Sequence, residues 1–152
     1  MSAVAISNSS DSSSPIIVIA TWTAKTFVYT LSQISNGVDG LSIPTKSSAT
    51  SLQLRSHPFY PAGIQLLSGL DNGLLHIHDL DTSDSGDAGE LMVKSSKSAS
   101  LGLRPLVLHP CESTHGDEKV ISVGLTERMS VIFESKGRVE FSSVNIKASV
   151  HI

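Results

Sequence analysis

The chain has a single cysteine, Cys111, which excludes an internal disulfide and suits a reducing compartment. Charge is scarce at 16% of residues. The net charge of −3 argues against an electrostatic binder of nucleic acid or another polyanion. No apolar run approaches the roughly 20 residues that a membrane-spanning helix needs. The opening Met1-Ser-Ala-Val-Ala-Ile-Ser7 lacks a basic stretch, and its apolar segment is too short for a secretory signal. There is no GxGxxG, P-loop or GxSxG motif. No stretch keeps a 3.6-residue apolar period for three turns, so no helix is expected. What remains is a Ser-rich composition, 39% hydrophobic and 5% aromatic, in 152 residues. That is globular and β-rich, and long enough to bury a sizeable core.

The most regular stretch is Ile64-Gln-Leu-Leu-Ser-Gly-Leu-Asp-Asn-Gly-Leu-Leu-His-Ile-His-Asp-Leu80. It reads as a β-hairpin, with Asp71-Asn72-Gly73 supplying residues that tolerate the positive φ of a tight turn. Beyond the turn, Leu75, Ile77 and Asp79 alternate with Leu74, His76 and His78, a period-2 strand pattern. Ile16–Leu31 and Val120–Phe133 have the same shape. Aligning Thr21 with Gly69 and Gly124 places Trp22 over Leu70 and Leu125, at offsets of 48 and 55 residues. One four-stranded propeller blade repeats every roughly 40–50 residues. Flanking strands complete each unit: Ala3–Ile6 and Val38–Ile43, Ser51–Arg55 and Glu90–Lys94, Pro105–His109 and Arg138–Phe141.

The expected fold is therefore all-β: three four-stranded blades of a β-propeller, an incomplete ring. The blades fall at about 1–44, 48–100 and 101–146, with 147–152 opening a further one. Closed rings have typically 4–8 blades, so the chain reads as a fragment of a larger propeller. Ser7–Ser14, Asp79–Glu90 and Pro110–Lys119 read as polar loops. Propeller connectivity puts the turns Trp22–Lys25, Asp71–Gly73 and Thr126–Arg128 on one face with the crossing Leu101–Pro105. The Ser-rich and acidic loops fall on the other.

Candidate chemistry is thin. Counted as a calcium loop from Asp79, the acidic stretch puts Asp84 where glycine is required and has no flanking helices. It reads as a solvated loop. His76 and His78 share a strand face and could share a metal, but no third ligand stands at a recognisable spacing. His109-Pro-Cys111, with Glu112 and His115, lacks the positioned base and oxyanion site that a nucleophilic cysteine needs. No catalytic, metal or cofactor residues are assigned, and no small-molecule substrate is expected. Trp22 supports two readings. By its leucine equivalents it packs between blades; by its residue type it anchors an interface on the turn face.

The pattern is a poor match to a WD40 blade, because Trp-Asp is missing and no Gly-His opens a unit. Four segments instead resemble the DNA damage-binding protein 1 family: Ile19-Ala-Thr-Trp-Thr23, Leu67-Ser-Gly-Leu-Asp-Asn-Gly73, Leu101-Gly-Leu-Arg-Pro-Leu-Val-Leu108 and Phe141-Ser-Ser-Val-Asn-Ile-Lys147. The family also holds the large propeller subunits of splicing factor 3b and of the cleavage and polyadenylation specificity factor. The resemblance falls on the later blades of the middle propeller. It implies a non-catalytic adaptor of a cullin-RING ubiquitin ligase, serving DNA repair and chromatin regulation in the nucleus, with the cytoplasm a second location. The implied partners are a cullin-type scaffold and substrate receptors, with nucleic acid reached only through partners and no membrane. Trp22, Thr23, Asp71, Asn72, Thr126 and Glu127 are the expected partner-binding residues. The alternative is a scaffold in RNA processing.

Overall fold

The computed structural model describes residues 3–7, 16–21, 23–59, 63–82 and 91–144. Among these, twelve strands and one short helix follow one another. The first unit is β1 (Ala3–Ser7), β2 (Ile16–Thr21), β3 (Lys25–Thr30), α1 (Leu31–Ser35) and β4 (Leu41–Pro44). The second is β5 (Ala49–Ser56), β6 (Ile64–Leu70), β7 (Leu74–Thr82) and β8 (Leu91–Ser100). The third is β9 (Val107–His115), β10 (Glu118–Leu125), β11 (Met129–Ser135) and β12 (Arg138–Val144). Each unit is a separate four-stranded antiparallel sheet in simple sequence order. This is the all-β, incomplete-propeller architecture that the alternating pattern requires.

The first strands of the sheets gather together, β1 against β5 and β5 against β9. The outer strands diverge. One cleft opens between β4 and the β7–β8 ribbon, and a smaller one between that ribbon and β12. The middle sheet is thus covered on both sides, and all seven residues of β6 are buried. Toward the first sheet it presents Ile64, Leu66 and Leu80, which pack on Val28 and Ile43. Toward the third it presents Leu67, Leu75 and Ile77, which pack on Leu101, Leu106, Leu108, Ile121 and Ile132. Strand period 2 sends alternate residues to opposite neighbours, which is why β6 reads as a nearly continuous apolar run.

The second interface is also tied by polar side chains at alternate positions of β5. Ser51 accepts from the Leu108 N–H at 3.0 Å, Gln53 donates to the Ile121 carbonyl at 2.9 Å, and Arg55 pairs with Glu134 at 2.5 Å. Buried groups paired this way fix the register of one sheet on the next.

Three sequence expectations need correction. The chain has a helix, α1, which a capping box begins. The Thr30 N–H donates to Gln33 Oε1 at 2.9 Å and the Gln33 N–H to Thr30 Oγ1 at 3.2 Å. Five residues are too few to show a period, so the apolar pattern misses it. Most of Pro110–Lys119 is strand rather than loop, joined by a tight turn at Gly116. Pro110 fits because it borders a bulge, where the register shifts between Val120 and Ser122. Asp79, Asp81 and Thr82 of the expected acidic loop belong to β7. Residues 8–14 of the Ser-rich stretch, 83–90 of the acidic one and 147–152 lie outside the described residues, as does Trp22.

Candidate functional site: the turn-and-crossing face

The second-to-third-strand turns and the sheet-to-sheet crossings lie on one side and are bonded to one another. The Thr45 N–H donates to the Ala24 carbonyl at 2.9 Å, and the Asp71 N–H to Ser48 at 2.9 Å. The Leu101 N–H donates to Gly73 at 3.0 Å, and the Leu106 N–H to Leu70 at 2.9 Å. Gly73 has φ of 84°, and a Cβ there would stand 2.2 Å from the Gly102 carbonyl oxygen, so the turn and the crossing touch backbone to backbone.

Strand pairing corrects the repeat alignment by one residue. Thr21 pairs with Lys25 and Leu125 with Met129, while Leu70 ends β6 and Leu74 begins β7. Each turn therefore has three residues, and the position of Trp22 corresponds to Asp71 and Thr126, not to Leu70 and Leu125. The leucine equivalents that favoured a packing role do not apply. Third in the first two turns stand Ala24, with φ of 56°, and Gly73, the left-handed position of a three-residue hairpin loop.

Of the residues expected to bind partners, Asp71, Thr126 and Glu127 also hold this face together. Thr23, Asp71, Asn72 and Glu127 are exposed and Thr126 is half-buried. The Ser47 hydroxyl donates to Asp71, and the Leu74 N–H donates to Asn72 Oδ1 at 3.2 Å. The Thr126 hydroxyl donates to the Leu101 carbonyl at 3.3 Å and accepts from the Arg128 N–H at 3.2 Å. Glu127 receives the N–H of Leu103 at 2.9 Å and of Arg104 at 3.1 Å. Those backbone donors, led by Leu103, lower its carboxyl pKa from 4.5 to about 2. The crossing is thereby held stiffly while Leu103, 84% exposed, projects from it between the buried Leu101 and Leu106. Lys46, Arg104 and Arg128 are exposed on this face, against two carboxylates already engaged by donors.

The sequence missed Leu103 and Arg104. The only signal was an exposed position between two core leucines, legible once the neighbouring sheets are in place. The remaining candidates do not converge on chemistry. His109, Cys111 and His115 are exposed along β9, with Cys111 a free thiol and Glu112 paired to Lys119 at 3.8 Å. His76 and His78 do share a face, their rings 5.7 Å apart. Among the described residues no group of three or more His, Cys, Asp or Glu could hold a metal.

Radial four-stranded sheets and a bonded face of turns define a β-propeller module, a class that works as an interaction scaffold. The chain belongs to the RSE1/DDB1/CPSF1 second β-propeller family, whose model matches residues 1–152. Propeller scaffolds of this family are in general non-catalytic. No curated protein matches the chain.

Proposed function

We propose that the chain is an adaptor surface of a cullin-RING ubiquitin ligase linked to DNA repair and protein ubiquitination, acting in the nucleus. Its partners are a cullin-type scaffold and, through the larger protein, substrate receptors; nucleic acid is reached only indirectly. The observation that carries the reading is the turn-and-crossing face, whose turns and crossings are bonded to one another while Leu103 projects and Lys46, Arg104 and Arg128 stand exposed. Stiffness matters because less conformational freedom is lost on binding. Within the family, Ile19-Ala-Thr-Trp-Thr23 and Phe141-Ser-Ser-Val-Asn-Ile-Lys147 support the damage-binding branch over the RNA-processing one.

Co-purification tests the branch: cullin and RING subunits support the proposal, and spliceosomal or polyadenylation subunits overturn it. The face is tested in the full-length protein by Trp22→Ala, which should weaken cullin binding and leave receptor binding and the melting temperature nearly unchanged. An aromatic interface anchor costs about 2 kcal/mol or more on truncation. Unchanged cullin binding with an unchanged melt would refute the assignment, and a collapsed melt with both partners lost would place Trp22 in the core.

A further inference from the structure

The cleft between the first two sheets has an unusual lining. Its volume is about 530 Å³, and it lies between β4 with the crossing behind it and the outer strands β7 and β8. Ile43 and Val93 supply apolar wall, and the polar groups are the hydroxyls of Ser42, Thr45, Ser96 and Ser98, the Lys46 ammonium and two imidazoles, all able to donate, though the Thr45 hydroxyl is already given to the Ser47 carbonyl at 2.6 Å. Among the described residues no carboxylate lines it. Ser42, Lys46, Ser96 and Ser98 are exposed at the mouth, His76 stands half-buried, and His78 is only 6% exposed. His78 Nδ1 lies 2.8 Å from Ser96 Oγ, while its Nε2 is buried without a partner. Buried polar atoms are rarely left so, and an unpaired one in a cleft wall points to a group that completes it.

Donor-rich walls without a competing carboxylate suit a ligand that only accepts hydrogen bonds and bears negative charge. A cation is disfavoured, because burial first and the neighbouring Lys46 ammonium second hold His76 below its ordinary pKa, and among the described lining residues only two imidazoles could ligate it. We propose that this cleft binds an oxyanion, a carboxylate or phosphate group, between Lys46 and His76, with the ligand's apolar body against Ile43 and Val93. The Ser96 hydroxyl can donate to Nδ1 of His78, which leaves the hydrogen on Nε2 as a further donor. The site shares Lys46 with the turn-and-crossing face but none of the turn residues assigned to partner binding, and phosphate binding is read without any partner.

Equilibrium dialysis of the whole chain against radiolabelled inorganic phosphate tests it, because that readout does not depend on association state. One saturable site per chain is expected. Lys46→Ala should weaken it at least fivefold, Lys46→Arg should restore most of it, and Ser98→Asp, which adds a carboxylate to the mouth, should abolish it. Lys97→Ala is the charge-matched control, since Lys97 lines the other cleft. Competition by phenyl phosphate and by benzoate separates the sources: stronger competition by the first identifies a phosphoryl group, by the second a carboxylate. Equal loss in Lys46→Ala and Lys97→Ala, or no saturable binding, overturns the proposal. Circular dichroism on each variant separates a lost site from a lost fold, and phosphate binding retained by folded Ser98→Asp also overturns it.

Discussion

Leu103 and Leu106 sit three residues apart in one crossing and should respond to truncation in opposite ways. Leu106 is 0% exposed and belongs to the cluster joining the second and third sheets. Removing three carbons forfeits about 2.4 kcal/mol of transfer free energy at about 0.8 kcal/mol each. The cavity adds to that, in proportion to how little the site can collapse. Here collapse is hindered. The Leu106 N–H donates to Leu70, its carbonyl accepts from the Thr50 hydroxyl at 3.1 Å, and a Cβ on Gly69 would stand 2.5 Å from that carbonyl oxygen. Leu106→Ala should therefore cost about 4 kcal/mol, within the roughly 2–5 seen for such changes. Leu103→Ala should stay within about 0.5 kcal/mol, as exposed substitutions do. Urea unfolding followed by far-ultraviolet circular dichroism, at one protein concentration for all variants, reads both. With a slope of roughly 2 kcal/mol/M, the Leu106→Ala midpoint should fall by about 2 M. A loss under about 1.5 kcal/mol, or equal losses for the two, would refute the reasoning.

Ala24→Gly should raise stability by about 1 kcal/mol in the same assay, because it relieves a left-handed residue bearing a Cβ; a decrease would refute it. His78 is pushed down from 6.5 to about 4, chiefly by burial and then by the neighbouring His76, with Asp79 opposing. A lowered histidine pKa means stability is intact above pH 6.5 and drains as pH falls toward 4, by about 3 kcal/mol in all. His78→Gln should flatten that part of the pH–stability curve, and an unchanged slope would count against the assignment. Glu127 should hold the crossing at any pH above its ordinary 4.5 and release it as pH falls through about 2. Glu127→Gln should speed amide exchange at Leu103 and Arg104 at neutral pH, with equal exchange the contrary result. Val107, Leu125, Met129 and Val144 pair into one cross-strand row on the third sheet, and none of the four is buried. The isolated chain should therefore self-associate, and a monodisperse monomer by light scattering would contradict this.

Period-2 alternation exposed the three hairpins, because each sheet is buried on a face that repeats every second residue. Alignment by apolar similarity slipped by one, since Leu70 and Leu125 are strand ends while Trp22 follows one. Only the pairing of Thr21 with Lys25 and of Leu125 with Met129 sets the true equivalence. The helix was legible in principle: Thr30 and Gln33 carry the capping-box spacing. Pro110 misled because a proline interrupts a strand except beside a bulge, and a bulge leaves no mark in a single sequence. The shared face of His76 and His78 followed from their spacing. The cleft before them did not, because Ser42, Thr45 and Lys46 come from another sheet. Glu127 could not be matched to its donors, which sit 23 and 24 residues away.

The links that run from Ala24 to Thr45, Ser48 to Asp71, Gly73 to Leu101 and Leu70 to Leu106 are all main chain to main chain. Any residue except proline supplies such a donor, and every residue supplies the acceptor. These four links are thus uncoupled from the side chains displayed on the face, to which the Asp71 and Glu127 carboxylates add ties of their own. Substitutions at its exposed positions other than Asp71 and Glu127 can rewrite which surface it recognises while each turn stays where its neighbour holds it. A surface built this way can exchange one partner for another without first reinventing its frame.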